Sequence, residues 1–146
     1  HEVGRRLSDH GLSHLPAVTC TDTEAKHIYD QLRAGNAVDP TDRQKFAVWM
    51  MLFFGELSHE RGWTQQLHLG AMRNTNAWAL EHLGPDTGFD TIGDFPQGEG
   101  LAAFLGTLAG RRKLARTVLY NLNPRDTYLF ASMIGNYQSA EAPGYM

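Results

Sequence analysis

His68 lies in a short apolar segment, Gln66-Leu67-His68-Leu69-Gly70, that reads as a buried strand ending in a glycine turn, and Arg73, Asn74 and Asn76 follow at once. A histidine so placed can serve as a general base or acid, or as a ligand, near neutral pH. Arg73 adds a cation suited to bidentate carboxylate binding. Leu7-Ser8-Asp9-His10-Gly11 repeats the arrangement upstream and sets a carboxylate beside an imidazole. Adjacent residues on an extended strand point to opposite faces, so Asp9 and His10 share a pocket only if a turn at Gly11 redirects one of them. Downstream, Asn121 and Asn123 alternate with Leu122 just before Pro124, which places both amides on one side, fit to bond a polyol. Each feature also has a plain structural reading: a capped turn at Asp9, a core imidazole at 68, a solvated helix-end charge at 73.

These residues need elements to hold them. The sequence predicts a helix end over residues 1–3 stopped by Gly4, a strand over Arg5–Ser8 and a turn at Asp9–Gly11. A helix over Glu24–Ala34, capped by Asp22 or Thr23, carries Ile28 and Leu32 on one face. Asp39-Pro40 opens a longer helix to Arg61, stopped by Gly62. That helix is apolar nearly all round between Phe46 and Phe54, so it is expected to be buried on more than one side. Trp63–Leu69 is the second strand and Asn76–His82 a short helix. Pro85–Pro96 is a polar loop too rich in turn formers to be regular. Leu101, Phe104, Leu105 and Leu108 form the stripe of a helix over Glu99–Leu108. Arg116–Leu122 is a third strand, dense enough in apolar residues to be covered on both faces. Asn123-Pro124 opens a last helix to Ile134, ended by Gly135.

Strands alternating with helices argue for an α/β fold with a parallel sheet. Three polar-tipped strands in succession look like spokes of a (β/α)₈ barrel, whose active site lies at the strand carboxyl ends. The 146 residues suffice for one domain, and 42% hydrophobic with 20% charged residues is a globular balance. A net charge of −3 offers no basic excess for nucleic acid. The nine-residue apolar run Phe46–Phe54 falls well short of the ~20 residues a bilayer span needs. Cys20, the one cysteine, excludes an intramolecular disulfide and fits a reducing, cytoplasmic compartment. The loop Gly84–Asp94 spaces Asp86, Asp90 and Asp94 by four, unlike the closer alternation of a calcium loop. It suits Asx-turns, a lid or an oligomer contact. No Gly-rich phosphate loop, paired-cysteine zinc motif or nucleophile elbow is present.

The segments Leu7–Leu12, Gln66–Asn74, Leu83–Asp94 and Leu119–Asp126 together resemble uronate isomerase, also called glucuronate isomerase, with matches in the same order across essentially all 146 residues. The resemblance implies an amidohydrolase-type (β/α)₈ barrel and aldose–ketose interconversion. D-glucuronate would exchange with D-fructuronate, and D-galacturonate with D-tagaturonate, by proton transfer between C2 and C1 through a cis-enediol. It also implies a divalent metal, zinc, that polarises the substrate oxygens. The family's middle-strand histidine falls on His68, its Arg-Asn turn on Arg73 and Asn74, and its Ser-Asp-His-Gly segment on Ser8–Gly11. His68 and Asp9 are then the expected catalytic groups. His10, Arg73, Asn74, Asn121 and Asn123 are the expected substrate contacts.

The resemblance also implies an absence. The family's His-x-His metal pair lies upstream of this chain, and its metal-binding aspartate lies downstream. The metal ligands are therefore expected outside the 146 residues. A complete barrel takes ~250 residues, so residues 1–146 are expected to be the central portion of one barrel domain, inactive alone. The amino end without Met, and a carboxyl end at 142–146 where another strand would start, fit that expectation. A homo-oligomer is left open. Two other readings compete: a metal-dependent hydrolase on the same barrel, separated by testing hydrolysis against isomerisation, and a non-catalytic sugar-acid binder, favoured if the upstream histidine pair is replaced.

Overall fold

The computed structural model describes residues 3–138. The elements run β1 (Leu7–Leu12), α1 (Asp22–Arg33), α2 (Pro40–Glu60), β2 (Thr64–Leu69), β3 (Ala71–Met72), α3 (Ala77–Leu83), β4 (Thr91–Ile92), α4 (Gly98–Gly110), β5 (Arg116–Asn121), a 3-10 turn at Pro124–Asp126 and α5 (Thr127–Gly135). β1, β2 and β5 form one parallel sheet in that order, with Leu7 beside Thr64 and Thr64 beside Arg116. Each strand thus lies next to its predecessor in the sheet, the winding of a barrel wall.

Burial alternates along the strands. Gln65, Leu67 and Leu69 of β2 and Thr117 of β5 are buried on the helix side. There Leu67 and Leu69 join Met51 of α2, Leu101, Phe104, Leu105 and Leu108 of α4, and Phe130 and Met133 of α5 in one core. Gln65 survives in this apolar layer because its amide donates to the Thr117 hydroxyl at 2.8 Å. On the other side Val118 and Tyr120 remain 37% and 40% exposed. The expectation that Arg116–Leu122 is covered on both faces is therefore corrected: the described residues cover one.

Helix α2 opens as the sequence predicts. Asp39 accepts from the Thr41 N–H at 2.8 Å, Pro40 takes the first position, and Gly62 ends the run at φ 63°. It is packed from two sides, by α4 and the sheet where Met51 is buried, and by α1, whose Asp22 accepts from Trp49 Nε1 at 2.8 Å. Gly55 permits close approach to α4, since a Cβ there would lie 2.6 Å from Leu108 Cδ1.

Several boundaries differ from expectation. The cap of α1 is Thr21, not Asp22 or Thr23. Its hydroxyl accepts from the Glu24 N–H while Glu24 Oε2 accepts from the Thr21 N–H, a reciprocal box one residue earlier. The loop after α3 holds a short strand, β4, that pairs antiparallel with β3 just beyond β2, joined by Ala71–Ile92 and Met72–Thr91. The start of the last helix is a 3-10 turn, because Asn123 accepts from the Arg125 N–H and tightens it. Gly4 does have the left-handed backbone of a helix stop, at φ 74°, but residues 1 and 2 lie outside the described residues. So does the strand start expected at 142–146.

Candidate active site

The largest correction falls on β1. Residues 9–11 are not a turn above a strand ended at Ser8; the strand continues to Leu12, pairing Asp9 with Gln66 and Gly11 with His68. Gly11 has no left-handed backbone. It is small for another reason: a Cβ there would sit 3.1 Å from Arg73 Nη2. With no turn to redirect either residue, Asp9 and His10 take opposite faces. Ser8 and His10 face α2, where Ser8 meets Ser58 at 3.0 Å and His10 stacks on Phe54 with centroids 5.4 Å apart. Burial there lowers the His10 pKa against the opposing pull of Asp9. His10 therefore does not line the pocket beside His68.

Asp9 does. On the open face its Oδ1 lies 2.9 Å from His68 Nδ1. An ionised carboxylate only accepts, so Nδ1 carries the hydrogen and Nε2 is the ring nitrogen left for a ligand. The His68 ring lies flat on Tyr120, with centroids 4.2 Å apart and planes 6° apart. The Tyr120 hydroxyl in turn accepts from the Gln66 amide at 3.3 Å. Three neighbouring strands build this cluster, β2 supplying both Gln66 and His68, and the parallel register puts His68 directly beside Tyr120. Tyr120 is the functional candidate that sequence reasoning missed. The only signal was its place two residues before Leu122 in a polar-tipped strand.

A cleft of about 550 Å³ adjoins the cluster, lined by His68, Ala71, Arg73, Asp90, Thr91 and Leu122 among others. That is room for a small polar ligand. Arg73 Nη1 donates to Asp90 Oδ2 at 2.6 Å, and the Asn74 N–H donates to Asp90 Oδ1 at 2.9 Å, with Asn74 at φ 54°. These bonds, the Asn74 N–H first and then Arg73, hold the Asp90 carboxyl below the usual carboxylate range. Asn74 therefore enters through its backbone. Asn121 and Asn123 are engaged locally rather than paired toward a polyol. The Asn121 amide donates to the Thr127 hydroxyl at 3.3 Å and its carbonyl accepts from the Asn123 N–H, while Asn123 Nδ2 donates to the Gly93 carbonyl at 3.1 Å. Asp94 is paired with Arg125, and Asp86 holds a turn at φ 59°.

Parallel neighbours in chain order, helices on one face and a polar cluster at the strand ends define a segment of a (β/α) barrel. The family model for glucuronate isomerase matches residues 1–146, and this chain belongs to that family. It is 56% identical to the uronate isomerase of Opitutus terrae and 49% identical to that of Cellvibrio japonicus, over 100% and 99% of its length. It spans only 31% of each of those relatives. The crystal structure of uronate isomerase from Thermotoga maritima superposes with a TM-score of 0.82 at 30% identity, over 90% of this chain and 29% of that one. The glucuronate isomerase structure from Caulobacter crescentus gives 0.72 at 28% identity, over 86% and 26%.

Proposed function

We propose that this chain forms the part of a uronate isomerase that binds and protonates the sugar acid. The intact enzyme would interconvert D-glucuronate with D-fructuronate, and D-galacturonate with D-tagaturonate. The observation that carries the reading is the Asp9–His68–Tyr120 cluster beside a paired arginine at the rim of a cleft. An aldose becomes a ketose when a proton leaves C2 and one arrives at C1, while the O2 proton is lost and O1 gains one. Such a reaction needs a group that both takes and gives protons, held against the reacting end. His68 supplies it at Nε2, fixed in tautomer by Asp9 and in plane by Tyr120. Arg73 supplies the charge for the C6 carboxylate.

Among the described residues no three His, Cys, Asp or Glu side chains gather as a metal-binding group. His68 alone does not complete a coordination shell, so these residues do not fit a resident zinc by themselves, and no step above depends on one. The divalent ion belongs to the proposal with its ligands outside this chain. Among the described residues no helix is long and apolar enough to cross a membrane. A cytoplasmic site of action is proposed with it, supported by the unpaired Cys20.

The test is His68→Asn in the intact enzyme. Removing a positioned acid–base group should lower kcat by about 10²–10⁴-fold, followed by proton NMR of glucuronate in D₂O. Unchanged turnover and unchanged deuterium entry at the exchanging carbon would sink the assignment.

A further inference from the structure

We propose that Asp90 is a positioning residue that aims Arg73 at the sugar-acid carboxylate and so sets the preference for charged over uncharged sugars. This rests on the reading of Arg73 given above. Arg73 follows the carboxyl end of β2 by four residues, and its long side chain has many rotamers to lose. Asp90 removes that freedom by taking Nη1 at 2.6 Å, while Nη2 lies against Gly11 of β1, 3.1 Å from where a Cβ would stand. The guanidinium is thus held between β1 and the loop after α3, on the same rim as Asp9 and His68.

Asp90 is itself held. Its second oxygen accepts from the Asn74 N–H, which fixes the left-handed residue next to Arg73. On either side the loop is tied to the β2 end: the Thr75 N–H donates to the Phe89 carbonyl at 3.0 Å, and the Gly93 N–H donates to the Gly70 carbonyl at 2.7 Å. Asn123 Nδ2 then ties the Gly93 carbonyl to the end of β5. One carboxylate therefore links a cation in the cleft to a brace reaching two strand ends. Arg73 retains donors that Asp90 does not use, because a guanidinium carries five N–H groups.

The intact enzyme tests this with Asp90→Ala, Asp90→Asn, Arg73→Gln and the Asp90→Asn/Arg73→Gln double variant. The readouts are kcat, KM for glucuronate, and inhibition by D-gluconate and its uncharged counterpart D-glucitol. Asp90→Asn keeps an acceptor for the Asn74 N–H and removes the charge facing Arg73, so it separates the brace from the aim. We expect both Asp90 variants to raise KM by about tenfold with kcat changed by less than about threefold, and to narrow the gluconate-over-glucitol preference to match. In the double variant the Asp90 change should add nothing to the Arg73 loss. If Asp90→Asn behaves as the parent, or if the two effects add, the positioning role is overturned while the Arg73 reading stands. If Arg73→Gln leaves gluconate inhibition unchanged, the Arg73 reading itself fails, and Asp90 with it.

Discussion

On the helix side of the sheet, Gln65, Leu67, Leu69 and Thr117 are buried, and the two polar members satisfy each other. On the opposite side, one residue over in each strand, Asp9, Gln66, His68 and Tyr120 stay accessible and hold one another by a 2.9 Å bond, a 3.3 Å bond and a flat stack. Both faces come from the same strands with the same backbone bonds. What separates them is the two-residue period of the strand. The comparison teaches that stability and chemistry are interleaved rather than segregated, so neighbouring residues should fail in different ways.

Leu67 and His68 are the sharpest case. Leu67 is 0% exposed in the core and His68 lies on the accessible face. Leu67→Ala in the intact enzyme should cost about 2–5 kcal/mol, the usual sum of lost transfer energy and a residual cavity. Its turnover per folded molecule should stay near the parent's. His68→Asn should do the reverse, losing turnover as predicted above while its thermal midpoint holds. Differential scanning calorimetry beside steady-state kinetics reads both. Equal loss of stability in the two variants would erase the distinction between the faces.

The sequence made much of this division visible. Alternation in Gln66–Leu69 and the cap signals at Asp39-Pro40 and Asn123-Pro124 were legible because they depend on near neighbours in the chain. What was hidden depended on distant ones. Gly11 read as a turn former, yet its glycine makes space for an arginine 62 positions later, so β1 looked to end at Ser8, four residues before it does. That shortening hid the true relation of Asp9 to His10. Tyr120 read as an ordinary strand residue because its partner, His68, is set by register between β2 and β5 and by nothing local. Asn121 and Asn123 read as a polyol pair because their actual partners, Thr127 at the start of α5 and Gly93 just after β4, are placements the local pattern does not announce.

Gly11 gives an intermediate test. The Cβ of Gly11→Ala would crowd Arg73 Nη2, the far end of a flexible side chain, so the arginine can yield and the strand need not. Stability should change by less than about 1 kcal/mol, since alanine relieves backbone entropy where φ is not left-handed. KM for a hexuronate should rise several-fold, less than on removing Arg73. A large stability loss with unchanged KM would mean that Gly11 serves the strand rather than the cleft.

The smallest effect separates Asp9 from its neighbour. His10 lies half-buried against Phe54, and burial lowers its pKa from the ordinary 6.5 more than Asp9 raises it. A base whose folded pKa is depressed takes up its proton more readily in the unfolded chain. Its neutral form therefore supports the fold fully above about pH 6.5, and that support is lost as pH falls through the lower folded value. His10→Phe keeps a ring against Phe54 and removes the titration. Thermal midpoints measured from about pH 8 to about pH 5 should decline less steeply for this variant than for the parent, by the share that His10 contributes. An identical slope in both proteins would place the imidazole in water and return His10 to the accessible face.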